Sequence, residues 1–152
     1  MAGRVTGQVI RKMLPSEASA VARLFGEATE AAQWSARDLA EVQASGTKIW
    51  VFSQKNKVTG AIASREGGGE AEILNLAVVA AWRRQGIGRQ LIEAAVESAI
   101  SAGVRRVFLE VRESNSGGRA FYSHLGFAEG GRRKNYYRQP AEDALLLSRT
   151  LE

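Results

Sequence analysis

Between Glu72 and Arg112 the chain alternates strand, glycine-punctuated turn, long amphipathic helix and strand, and no other stretch constrains the fold as strongly. Glu72 to Val79 has the apolar content of a strand. Ile87, Leu91, Ile92, Ala95, Val96 and Ala99 then recur at helical spacing, with Arg89, Glu93 and Glu97 on another side. Gly103 stops this helix as a C-cap residue, and Val107 to Arg112 is again a strand of β-branched and apolar residues. A helix set between two such strands has its apolar stripe to bury, and a sheet supplies the surface.

The flanking segments extend the pattern. Val9 to Met13 reads as a strand, and Pro15-Ser16-Glu17 opens a helix over 17–27. Ser35 and Asp38 have the spacing of a capping box for a second helix, ended by Ser45-Gly46. Ile49 to Ser53, Val58 to Arg65 and Glu72 to Val79 read as three strands, turned at Lys55-Asn56-Lys57 and at Gly67-Gly68-Gly69. Ser116 is expected to cap a short helix through Leu125 that starts late or frays, because Gly117 and Gly118 each cost about 1 kcal/mol relative to alanine. Two last strands begin at Phe127 and Ala144. The order β-α-α-β-β-β-α-β-α-β-β predicts an α/β fold with a mixed sheet, helices on both faces and one domain over residues 1–152.

Hydrophobic residues at 45% and charged residues at 24% argue for a folded globule rather than disorder. The chain has no cysteine, so disulfides, thiolate metal sites and a cysteine nucleophile are excluded. Met1 to Gln8 lack the apolar run of a signal peptide, and no segment approaches the roughly 18 apolar residues of a membrane helix, so a soluble, cytoplasmic protein is expected. A net charge of +5 invites a nucleic-acid reading. The basic residues, however, are grouped at Arg83-Arg84, Arg105-Arg106 and Arg132-Arg133-Lys134, and no nucleic-acid motif accompanies them. Solvated surface charge explains at least some of them, and such groups suit an acidic peptide or a phosphate-bearing small molecule equally well.

The segment Arg83-Arg84-Gln85-Gly86-Ile87-Gly88-Arg89 bears on that last point. Glycines let backbone N–H groups approach a ligand closely, and a helix start presents unpaired N–H groups with the positive end of the helix dipole. Three arginines add charge-assisted donors, which makes a diphosphate the natural ligand. The segment read alone leaves a plain glycine turn at a helix start equally open.

This loop resembles the Q/R-x-x-G-x-G/A signature of the GNAT family of N-acetyltransferases. Leu109 to Asn115 and Phe121-Tyr122-Ser123-His124-Leu125-Gly126-Phe127 look like that family's later motifs. Asn75 to Val78, Arg133-Lys134-Asn135-Tyr136-Tyr137, Pro140 and Glu142-Asp143-Ala144 are similar to the branch that acetylates the N-terminal alanine of a small-subunit ribosomal protein. Two departures stand out: Gln33 precedes Trp34-Ser35 where that branch carries proline, and Ala80-Ala81 replaces Asp-Pro.

The resemblance implies acetyl-CoA as cosubstrate and a protein N-terminus as acceptor. It makes Glu110 the general base, with Glu72 as fallback, and Tyr122 the general acid. It gives cofactor contacts to Leu76, Ala77 and Val78 through their backbone, with side chains in the core, to Arg83 through Arg89, and to Asn115. Trp34, Arg133, Asn135, Tyr136 and Tyr137 are implied on the acceptor side. Plainer readings stand beside these roles. Glu110 would be a surface carboxylate paired with Arg112, Tyr122 a packed ring, Asn115 a turn residue before Ser116, and Trp34 a packing residue. Arg133 to Tyr137 would be an ordinary strand with exposed charges. The one histidine, His124, has no ligand companions, so no metal is expected. Other acceptors (a small amine or a lysine side chain) and a CoA-binding regulatory module without turnover complete the alternatives.

Overall fold

The computed structural model describes residues 8–28 and 34–151. Gln33 lies outside the described residues. The strands are β1 (Gln8–Lys12), β2 (Lys48–Gln54), β3 (Lys57–Gly67), β4 (Glu70–Val78), β5 (Arg106–Arg112), β6 (Ala128–Arg138) and β7 (Ala141–Thr150). The helices are α1 (Ala18–Gly26), α2 (Ala36–Ala44), α3 (Ile87–Ser101) and α4 (Ser116–His124), with 3-10 turns at Pro15–Glu17 and Ala80–Trp82. The expected element order holds. The sheet runs β1-β2-β3-β4-β5-β7-β6 and is mixed, since β4 and β5 are parallel while β1–β2, β2–β3, β5–β7 and β6–β7 are antiparallel.

Two compact units make up the chain, one of Met1–Arg65 with Ile73–Ser98 and one of Glu66–Glu72 with Ala99–Glu152. In the first, alternation along β2 and β3 sends two sets of side chains to opposite faces. Ile49, Val51, Ala61 and Ala63 join Val21, Leu24, Phe25 and Leu39 of α1 and α2 in one core cluster. Phe25 and Leu39 are wholly buried, and such side chains contribute about 1.5–3 kcal/mol each. The other face receives α3. A Cβ on Gly60 would stand 2.8 Å from Ile87 Cγ2 and 3.0 Å from Leu91 Cδ1, so glycine there lets the helix close on the sheet. The β2–β3 turn is tighter than expected. It uses only Lys55 and Asn56, with φ of 49° and 66°, the left-handed pair of a two-residue hairpin.

In the second unit, Val107, Leu109 and Val111 of β5 point to the same face as Leu145 and Leu147 of β7, through the pairs Leu109↔Leu147 and Val111↔Leu145. The opposite face of β5 carries Phe108, Glu110 and Arg112. The β4–β5 ladder pairs Glu72 with Phe108, so Glu72 shares that face.

Candidate active site

The loop before α3 turns on one glycine and one arginine. Arg84 sits at φ 63° and Gly86 at φ 81°, two left-handed residues that turn the backbone sharply into the helix. The first helical bond is Gln90 N–H to the Gly86 carbonyl at 3.0 Å, so the Ile87, Gly88 and Arg89 N–H groups lie ahead of the intrahelical ladder. Ile87 is buried and anchors the helix, whereas Arg84, Gln85, Gly86 and Arg89 are exposed. Arg83 is turned back instead: its Nε donates to the Val78 carbonyl at 3.1 Å.

That contact locates an open edge of β4. The Val79 N–H donates to the Thr59 carbonyl of β3 at 2.8 Å. Successive backbone groups alternate in direction along a strand, so the Val78 N–H and C=O face away from β3, on the edge where Arg83 binds. Ala77 is buried in the core, and the same alternation turns its backbone groups toward β3 rather than to the open edge where a cofactor contact was expected. Leu76 and Val78 are only half-buried, because they share the face of Glu72 and Leu74 rather than that of Ala71, Ile73 and Ala77.

Glu110 is the most unusual charge of the second unit. Its side chain is 9% exposed, and Oε2 makes no hydrogen bond, although Arg133 Nε lies 3.3 Å from it. Burial pushes the Glu110 carboxyl above the ordinary glutamate range; Arg133 opposes this and Glu72 adds to it. Arg133 itself is 61% exposed, so water weakens its attraction. The Tyr136 phenol is also raised, first by burial and then by Glu110. The arginine partner of Glu110 is thus Arg133, not Arg112. Arg112 Nη1 donates to Glu142 Oε1 at 3.2 Å and to the Pro140 carbonyl at 3.0 Å, and Nη2 donates to the Gln139 carbonyl at 3.2 Å.

Tyr122 lies on α4, half-buried, with its ring edge-on to Phe121 at 5.1 Å and to Phe127 at 5.7 Å. The cap of α4 is Asn115, not Ser116: Asn115 Oδ1 accepts the Gly118 N–H at 2.9 Å. The expected fraying is absent for the same reason. A Cβ on Gly118 would fall 2.5 Å from Asn115 Nδ2, so the glycine admits the cap that starts the helix at Ser116. His124 is exposed in the last turn of α4. Trp34 packs edge-on to Phe25 at 6.4 Å against the α1–α2 core, and the Ser35–Asp38 capping box is formed.

The β6–β7 hairpin joins Asn135, expected on the acceptor side, to residues given no role in the sequence, Arg132, Glu142 and Asp143. Pairing goes from Arg133↔Ala144 to Tyr137↔Glu142, four steps along β6 against two along β7, so two extra residues bulge out of β6. Asn135, at φ 53°, lies in this bulge, and its N–H donates to Asp143 Oδ1 at 2.9 Å. Asp143 Oδ2 accepts from Arg132, which also meets Glu113. Glu142 Oε2 accepts the Ser114 N–H at 2.5 Å. The Glu142 carboxyl is lowered, first by hydrogen bonding from Ser114 against the pull of desolvation, and further by Arg112. No local sequence pattern marks Glu142 and Asp143, because the groups they bind lie in other segments of the chain.

The sequence model of the acetyltransferase (GNAT) family matches residues 16–127. The [ribosomal protein bS18]-alanine N-acetyltransferase of Escherichia coli (strain K12) is 33% identical over 117 residues, which is 76% of this chain and 79% of that protein. The crystal structure of the ribosomal-protein-S18-alanine N-acetyltransferase from Escherichia coli superposes with a TM-score of 0.84 at 29% identity, covering 95% of this chain and 94% of that one. A GNAT family acetyltransferase from Elizabethkingia anophelis, solved with acetyl-CoA bound, shares the fold at a TM-score of 0.77 and 19% identity, over 97% of this chain and all (100%) of that one. Among the described residues no helix is long and apolar enough to cross a membrane.

Proposed function

This chain belongs to the GNAT family of acetyltransferases, and from that premise we propose that it transfers acetyl from acetyl-CoA to the α-amine of a protein N-terminus, with the alanine of a bS18-type ribosomal protein as acceptor. The observation that carries this reading is Glu110. A carboxylate nine-tenths buried and displaced upward is a stronger base than an exposed one. Its match is an amine whose own pKa is about 7.7–8.0, an α-amino group, rather than a lysine at about 10.4.

The loop from Arg84 to Arg89 suits a diphosphate, with N–H groups at a helix start, two left-handed turns and exposed cations together. Leu76 and Val78 offer backbone groups on the open edge of β4 to the cofactor arm, in the manner of an added strand. In the proposed step Glu110 removes the ammonium proton, and the amine nitrogen bonds to the acetyl carbonyl carbon. The Val78 N–H holds the carbonyl oxygen as it gains charge. The carbon–sulfur bond then breaks, the Tyr122 hydroxyl gives its proton to the departing thiolate, and the extra proton left on the amide nitrogen returns through solvent to the tyrosinate, leaving a neutral amide and a free thiol. A phenol near pKa 10 gives up a proton to a thiolate near 8.5 only uphill, so placement of that ring matters. Arg133, Asn135, Tyr136 and Tyr137 form the acceptor wall.

Mass spectrometry of acetyl transfer to three acceptors tests the reading: a peptide with a free N-terminal alanine, the same peptide N-terminally blocked but carrying lysine, and a small amine. Transfer to the free α-amine alone is expected. Preference for the blocked lysine peptide or the small amine would overturn the acceptor and leave the family membership intact.

A further inference from the structure

Arg112 and Glu142 are charged residues on the acceptor side that the proposed chemistry does not use, yet their side chains are only 10% and 18% exposed. A buried guanidinium is tolerated only where acceptors surround it, and the carbonyls of Gln139 and Pro140 with the Glu142 carboxylate supply them. From this lock a line of contacts leads toward the base. The Arg112 guanidinium stands 4.2 Å from the Tyr137 ring centre, and Tyr137 meets Tyr136 edge-on at 5.1 Å and 84°. Arg133 stands 5.7 Å from the Tyr136 ring centre, and its Nε is 3.3 Å from Glu110 Oε2. Neighbours on a regular strand point to opposite faces, so the Tyr136–Tyr137 contact depends on the bulge that Asp143 holds.

We propose that Arg112, locked by Glu142, is a positioning residue that holds the Tyr137–Tyr136–Arg133 stack against Glu110 and so keeps the acceptor wall assembled. The inference rests on Glu110 being the base. Around Glu110 stand Arg133 and Tyr136 from β6, Glu72 from β4, the apolar Leu146 opposite it on β7, and Arg112 two residues along its own strand. Of these, Arg133 is the group named above that favours the carboxylate, while burial and Glu72 oppose it. Loosening the stack withdraws Arg133, and the base then takes up its proton at higher pH.

The test uses the full chain and an N-terminal alanine peptide. Arg112→Lys keeps the charge and loses the planar fork that grips two carbonyls and lies on the Tyr137 ring. Tyr137→Leu breaks the stack and leaves the lock in place. Both variants should raise the acceptor KM about fivefold to tenfold, leave the acetyl-CoA KM within about twofold, and move the acid limb of kcat/KM upward by about half a pH unit or more. Tyr137→Phe keeps the ring and therefore the position of the limb, whatever the lost hydroxyl does to kcat. If Arg112→Lys does not fold, Tyr137→Leu decides alone. A uniform loss of kcat with both KM values and the acid limb unmoved would mean that Arg112 only stabilises the fold, and would overturn the proposal. Glu110→Gln separates this failure from failure of the proposed function. Loss of turnover and of the acid limb in Glu110→Gln, with the limb unmoved in the stack variants, sinks the stack alone. Full turnover in Glu110→Gln sinks the base and the stack together.

Discussion

Glu110→Gln should make the protein more stable and a worse enzyme at the same time. The Glu110 side chain is 9% exposed, its Oε2 makes no hydrogen bond, and the nearby Arg133 is well solvated. Leaving a buried polar group unsatisfied costs about 1–3 kcal/mol, and the amide carries less of that cost than the carboxylate. A net gain of about 1 kcal/mol at pH 7 is expected, or about 2–4 °C in Tm for a chain of this size. The sign depends on pH. Because the folded ionisation of Glu110 is raised, folding favours its protonated form. The wild-type deficit is therefore absent below the ordinary glutamate value of about 4.3 and grows as pH rises through the folded value.

Thermal unfolding of both proteins at pH 4, 5.5, 7 and 8 measures this directly, with the gap closing toward about pH 4. Turnover on the alanine peptide should fall about 10²–10³-fold at neutral pH and recover above about pH 8, where the amine is neutral without help. A variant less stable than wild type at pH 7, or a gain that is the same at every pH, would refute the burial argument. A turnover defect that stays constant with pH would refute proton removal as the role of Glu110.

Arg84→Ala should weaken CoA about tenfold and leave binding of a pantetheine fragment without phosphates unchanged, read by calorimetry; equal losses on both would remove Arg84 from phosphate recognition. Tyr122→Phe keeps its ring contacts with Phe121 and Phe127, so Tm and acetyl-CoA affinity should hold while turnover falls about 10²–10⁴-fold. Unchanged turnover would exclude the hydroxyl as the acid. Gly118→Ala, ordinarily stabilising by about 1 kcal/mol in a helix, should here lower stability by about 1 kcal/mol, because the new Cβ displaces the Asn115 cap. A rise in Tm would show that the cap can move aside.

Periodicity carried most of the fold, because the face each strand and helix buries is a local property. The Ser35–Asp38 box and the span of α3 were legible as residue types at fixed spacings. The cap of α4 was not. Ser116 and Asn115 are both good caps, and two glycines inside a helix signal weakness. Only the Gly118 site, too close to Asn115 Nδ2 for a Cβ, explains why that glycine helps the helix. Resemblance singled out Glu110 as the proposed base, whereas its local sequence favoured pairing with Arg112. Residues two apart on a strand share a face, and that rule says nothing about a carboxylate on another strand that competes for the same arginine.

The β6–β7 hairpin shows where such reasoning stops. A strand reading of Arg133 to Tyr137 places Tyr136 and Tyr137 on opposite faces and Arg133 with Tyr137. The structure instead joins Tyr136 to Tyr137 and Arg133 to Tyr136. Two extra residues in β6 break the alternation, and they leave the Asn135 N–H without a ladder partner. A backbone donor without a partner is costly, so the bulge persists only where something accepts it, and Asp143 does so from the facing strand. Glu142 and Asp143 therefore share one task from adjacent positions. Glu142 fastens Arg112 and the Ser114 turn, and Asp143 fastens the bulge. Neither acid has a local pattern that announces this, because each answers a need created on another strand.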